Sequence, residues 1–160
     1  MVARGCPIVT SLDGRYCDAY TAGGGWLFIQ KRQDGSENFR RKWEDYKNGF
    51  GSLTGEFWYG LSAIHCLTNQ GQWELHIDYT FTNGPKGYLS YSNCSVGPAT
   101  EQYPLTISGF DGVTDDPFEK DSLNGASFQP MTEIMIHGIT AVLCAMTMED
   151  GGLELVLQLV

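Results

Sequence analysis

The residues able to do chemistry in this 160-residue chain are few and dispersed. The three histidines, His65, His76 and His137, share no motif with a second catalytic residue type. Cys66 directly follows His65. A nucleophile and its base must meet through the fold, however, and neighbours on a helix point about 100° apart, so adjacency makes no dyad. There is no Gly-x-Ser-x-Gly elbow, no Cys-x-x-Cys pair and no His-Glu-x-x-His helix, and Gly23-Gly24-Gly25 lacks the Lys-Ser/Thr of a phosphate loop. The sequence predicts a protein that is not an enzyme.

Five cysteines are an odd number, so an oxidising compartment leaves at least one thiol over. Cys6 and Cys17 flank a Leu12-Asp13-Gly14-Arg15 turn, where a short disulfide loop and two free thiols fit equally well. Cys66 and Cys94 flank the strand pair that starts at Trp73, and either a disulfide or a buried free thiol fits there. Asn93-Cys94-Ser95 matches the acceptor pattern for N-linked glycosylation, which requires a surface position in a secreted chain. Asp111, Asp115, Asp116, Glu119 and Asp121 crowd one stretch, but their spacing fits no calcium-loop motif, and the reading is a solvated acidic loop with no metal site.

A net charge of −9, with no basic run longer than Lys31-Arg32 or Arg40-Arg41-Lys42, argues against nucleic acid and anionic membrane surfaces as partners. No segment has the ~18 successive apolar residues of a membrane span. The opening MVARGCPIVTSLDG holds no apolar run of signal-peptide type, so the natural start is expected upstream.

The elements that must position these residues follow from periodicity. Gly23 to Gly60 gathers Trp26, Trp43 and Trp58 among glycines at turn positions, the composition of a folding core. Trp26 to Lys31 reads as a buried strand closed by Gln33-Asp34-Gly35-Ser36. Phe39, Trp43, Tyr46 and Phe50 recur at helical spacing, which predicts an amphipathic helix over 38–48 stopped by Gly49. A short helix is expected from Ser62 to about Thr68. From Trp73, large apolar residues alternate with Glu74, His76, Asp78 and Thr80, the mark of a half-buried antiparallel strand. Turn chemistry at 83–87 returns the chain as a strand from Tyr88 to Val96, with a third strand from Tyr103 to Ser108 and a loop over 109–126. The class is α+β, an antiparallel sheet with short helices.

The residue order resembles the fibrinogen C-terminal globular domain. The resemblance is carried by FIQKRQDGSENF, WEDYKNGFGSLTGEFWYGLSAIH, LTNQGQWELHID, YLSYSNCSVG and YPLTISGF, in order and at the expected separations across about 16–128. It implies an extracellular, non-catalytic recognition module, with glycans or extracellular proteins as partners. Lectin-like members serve innate immunity through carbohydrate binding, and others are matrix or receptor-ligand components acting through protein contacts. Cys17 matches the family's first disulfide position, whose usual partner lies further upstream than Cys6.

The resemblance divides the chain into a remnant at 1–15, a family-like domain at 16–128, and a divergent tail at 129–160. In place of the family's acidic calcium loop, Cys-Ala pair and Gly-Gly-Trp-Trp, the tail reads QPMTEIMIHGITAVLCAMTMEDGGLELVLQLV. Moving each codon boundary in 127–153 back by one nucleotide lets the permitted codons spell Phe-Ser-Thr-Tyr-Asp-Arg-Asp-Asn-Asp, then Ser-Cys-Ala and Gly-Gly-Trp-Trp. Met131-Thr132, Met135-Ile136 and Met146-Thr147 must each give Asp in that frame. The tail is therefore expected to be a frame-shifted translation, with the calcium and ligand lobe missing, the ligand pocket incomplete and no cofactor held by this chain. Any oligomerisation region would also lie outside it. As written, Ile134 to Met148 could bury as a closing element, and Leu153 to Val160 is a β-prone, nearly uncharged end that would aggregate if left unpaired.

Overall fold

The computed structural model describes residues 17–18, 25–81, 86–113, 116, 124–125 and 153–159. Cys6, Cys144, His137, Asp115, Glu119 and Asp121 lie outside the described residues. In chain order the elements are β1 (Cys17–Asp18), β2 (Trp26–Arg32), α1 (Trp43–Asn48), β3 (Phe50–Gly51), β4 (Phe57–Trp58), α2 (Leu61–Thr68), β5 (Leu75–Phe81), β6 (Lys86–Val96), β7 (Leu105–Gly112) and β8 (Leu153–Leu159). The strands form one eight-stranded sheet in the order β3-β4-β2-β8-β5-β6-β7, with β1 also paired to β2. Every pairing is antiparallel. This is the α+β architecture that the sequence predicts.

One sheet face and the two helices enclose the core. Ile29, Leu75, Ile77, Tyr79, Leu89, Tyr91, Ile107 and Leu159 meet Tyr46, Trp58, Leu61 and Ile64 there. The helix α2 buries Leu61, Ile64 and Thr68, one face at 3.6-residue spacing.

The helix expected over 38–48 forms only from Trp43. Residues 37–42 are drawn out by competing bonds: the Arg40 amide donates to Asn38 Oδ1, and Tyr46 Oη donates to the Phe39 carbonyl at 2.7 Å. Phe39 still reaches the apolar side, edge-on to Phe50 at 4.9 Å and under the Arg32 guanidinium at 4.0 Å, but from extended backbone. Spacing that looked helical is thus shared between a helix and the segment before it. At the other end Gly49 stops α1 as predicted, with φ 91° and its amide on the Asp45 carbonyl; a Cβ there would sit 2.8 Å from the Tyr59 carbonyl oxygen.

Glu56 explains the departure from helix. It is 2% exposed, and its carboxylate accepts the backbone amides of Gln33, Asp34 and Gly35 on Oε1 and that of Glu37 on Oε2, at 2.6–3.0 Å. Arg32 Nε lies 3.6 Å from Oε1. Burial alone would push this carboxyl's pKa up, but the four amides outweigh that and hold it below the ordinary glutamate value.

The third strand runs to Gly112, well past Ser108 and into the expected loop. Both β6 and β7 change phase at one point: Leu89 and Tyr91 are buried before it, Cys94 and Val96 after it, while Ile107 and Leu105 face inward opposite the latter pair. Gly109, at φ 72°, makes this possible, because a Cβ there would run into Ser92 Oγ. The β7 edge is capped by Asn124, whose Oδ1 accepts the Ile107 amide at 3.0 Å and whose Nδ2 donates to the Ile107 carbonyl at 2.8 Å.

Leu153–Leu159 lies between β2 and β5, paired on both sides. Leu159 stands opposite both Leu27 and Leu75 and is fully buried. The apolar end of the tail thus acquires a partner on each edge.

Cys66 and Cys94 are both free thiols, so no Cys66–Cys94 disulfide is formed. Cys66 lies two residues past buried Ile64, on the solvent side of α2, where Gln70 Nε2 donates to its sulfur at 3.4 Å. Cys94 points into the core, and burial pushes its thiol up to about 12. Cys17 belongs to β1, paired through its backbone with Leu27.

Glu56→Gln should lower stability by about 2–4 kcal/mol in urea denaturation at pH 7, because the carboxamide keeps the shape but loses the charge and sets an NH2 donor against an amide that needs an acceptor. The pH sign follows from the depressed carboxyl: its stabilisation is complete above the ordinary glutamate pKa and disappears as pH falls through the folded value, so the two proteins should converge in acid. In the native protein at pH 8, iodoacetamide followed by peptide mapping should label Cys66 and spare Cys94, with both labelled in denaturant.

Candidate recognition surface

The sheet has a second face, opposite the core. Along β5, Leu75, Ile77 and Tyr79 point inward, which sends His76, Asp78 and Thr80 outward. The strand pairing places Tyr88 of β6 opposite Asp78, and Gln158 of β8 opposite both His76 and Phe28 of β2.

On this face three rings form a row across the strands. The Trp26 ring lies 5.3 Å from His76, tilted by 49°, and His76 stacks on Tyr88 at 5.6 Å with 16° between the planes. Carboxylates border the row: Asp78 Oδ1 is 3.2 Å from His76 Nε2, and Tyr88 Oη donates to Asp111 Oδ2 at 3.5 Å. Trp26 is 4% exposed and His76 9%, whereas Asp78 and Asp111 reach solvent. The indole Nε1 of Trp26 has no hydrogen-bond partner among the described residues.

Of the three rings only Tyr88 is part-exposed, and with the carboxylates of Asp78 and Asp111 beside it the solvent-facing part of the row can hold a cationic side chain. The row holds no nucleophile beside a base. The second histidine does not join the row: His65 sits on α2, its Nδ1 2.7 Å from the Val96 carbonyl, and its ring meets Tyr103 at 6.1 Å.

The acidic stretch is also divided. Asp111 belongs to β7 and to this face, while Asp116 accepts the phenol of fully buried Tyr91 at 2.8 Å; burial foremost, and this bond with it, raises that phenol's pKa. Among the described residues no three His, Cys, Asp or Glu side chains are grouped to hold a metal ion. Asn93 is exposed on β6, opposite Ser108 of β7.

Sequence reasoning did not assemble the row. Alternation on β5 marks His76 and Asp78 as outward, but Trp26 and Tyr88 come from other strands, and only the register brings them alongside.

Comparison with known proteins places the fold. Residues 10–140 match the family model described as fibrinogen beta and gamma chains, C-terminal globular domain, a span that continues beyond Phe128. Fibrinogen C domain-containing protein 1 of Mus musculus is 46% identical over 112 residues, which are 67% of this chain and 24% of that protein. The chain thus spans about a quarter of the length of that relative. The fibrinogen-like globe domain of human ANGPTL2 superposes with a TM-score of 0.75 at 27% identity, covering 91% of this chain and 84% of that one. Lamprey fibrin D-dimer, solved with the peptide ligand Gly-His-Arg-Pro-amide, aligns at 36% identity over 72% of this chain and 41% of its own, with a TM-score of 0.61. In sequence and in overall fold alike, this chain belongs to the family of fibrinogen C-terminal globular domains.

Proposed function

We propose that this chain is the scaffold part of a non-catalytic extracellular recognition module, of the lectin-like or protein-binding kind. The observation that carries this reading is the family match over 10–140, joined to an outer sheet face on which the carboxylates of Asp78 and Asp111 stand in solvent beside part-exposed Tyr88. The lamprey relative was solved in complex with a basic peptide, a ligand chemistry that solvent-facing carboxylates beside a ring would also suit. The alternative within the same family is a matrix or receptor-ligand component working through protein contacts on the sheet. It draws its support from the same outer face, which lies on the sheet itself.

The proposal includes the tail. Residues 129–160 are read as a frame-shifted translation of the lobe that would hold calcium and the ligand pocket, so the chain as written is an incomplete module. Sequencing the transcript across codons 126–131 tests this directly. An inserted or deleted nucleotide there, or a gene-model error, is the expected result; the frame as written, with no neighbouring frame encoding the acidic loop, contradicts it.

Two further outcomes are expected. By titration calorimetry the chain as written takes up no calcium, whereas the frame-corrected protein does; a stoichiometric micromolar site in the chain as written would count against the reading. On an acetylated-glycan array and in a receptor pull-down, the frame-corrected protein should be retained by one of the two. Glycan retention assigns the lectin-like role and receptor capture the protein-contact role, while hydrolysis of an arrayed sugar would refute a non-catalytic module.

A further inference from the structure

We propose that Asn93 is an N-glycan acceptor, and that its glycan stands on the outer sheet face, on the same strand as the aromatic row. Asn-x-Ser needs the carboxamide and the hydroxyl two residues on to be presented together, and in extended backbone i and i+2 share a face. Asn93 and Ser95 are both exposed, and the residue between them, Cys94, is buried. The phase change at Ser92 and Gly109 produces this arrangement. In unbroken alternation from Leu89 and Tyr91, Asn93 would point into the core; with the change it points out and Cys94 takes the core position.

The surroundings leave room for a sugar. The facing segment of β7 offers only small polar side chains outward, with Thr106 and Ser108 exposed opposite Ser95 and Asn93. Among the described residues the Asn93 carboxamide makes only a 3.4 Å contact, to Ser92 Oγ. Cys94 is a free thiol, so the middle residue of the acceptor is not tied into a disulfide in the folded chain. Five residues of strand, about 16 Å, separate Asn93 from Tyr88 on the same face, near enough for a branched glycan to border whatever the aromatic row contacts.

The proposal requires only entry into a secretory lumen. An added leader supplies that, so its failure is separable from failure of the extracellular reading. The full chain behind such a leader is expressed in mammalian cells and compared with N93Q, S95A and S95T, each before and after peptide N-glycosidase F. The wild type and S95T should lose one glycan's mass on treatment, N93Q and S95A should show no change, and mapping in heavy-oxygen water should mark the deamidated site at Asn93. Because the readout is mass, it does not depend on whether a variant folds. Unchanged mobility of the wild type, while a control acceptor appended to the same chain is occupied, would overturn the proposal.

Discussion

The structure depends on one buried carboxylate. Taking Glu56 out of water costs several kcal/mol unless its lone pairs are satisfied, and here four amides of the 33–37 loop satisfy them. That capture sets the path from β2 through residues 33–37 to α1. The helix then closes the circuit, because Tyr46 offers its carbonyl to Trp58 Nε1 at 2.7 Å, two residues from Glu56 itself. Strand, loop, helix and strand are thus held as one corner, and Trp58, Tyr46 and Phe50 pack within it at ring separations of 5.2–5.9 Å. Removing the charge would open the corner from its centre.

The sheet built on that corner joins its halves through β8. On one side lie β3, β4 and β2; on the other, β5, β6 and β7; the ladder between them is carried by Leu153–Leu159. Alternating apolar residues along this segment suit a position with both edges paired, and Leu159 shows the fit by packing between Leu27 and Leu75. The chain as written therefore completes its sheet with residues from the proposed frame-shifted tail. Strand pairing asks mainly for alternation and β propensity, which many sequences supply, whereas a calcium loop or a pocket asks for particular side chains at particular places. That difference would let a sheet close on a tail that does not encode a binding lobe.

Much of the scaffold was legible because it rests on local signals. Alternation located β5, the turn residues at 83–87 returned the chain as β6, Gly49 marked the end of α1, and the short helix expected from Ser62 formed as α2. The sequence misled where a distant residue overruled local preference. Phe39 sits at helical spacing from Trp43, but Glu56 and Asn38 claim the preceding amides, and the helix starts late. Strand β7 outran its predicted end because Gly109 marks a phase change in a ladder and not a turn. The aromatic row was the least legible feature, since Trp26, His76 and Tyr88 are brought together by register across β2, β5 and β6.

The most direct measurement of the central claim is amide hydrogen exchange at Gln33, Asp34, Gly35 and Glu37 as pH is lowered, with rates corrected for intrinsic chemistry. If one carboxylate holds all four, they should lose protection together, at a single midpoint below the ordinary glutamate pKa, while β5 and β6 remain protected. Four independent midpoints, or protection that survives protonation of Glu56, would contradict the account.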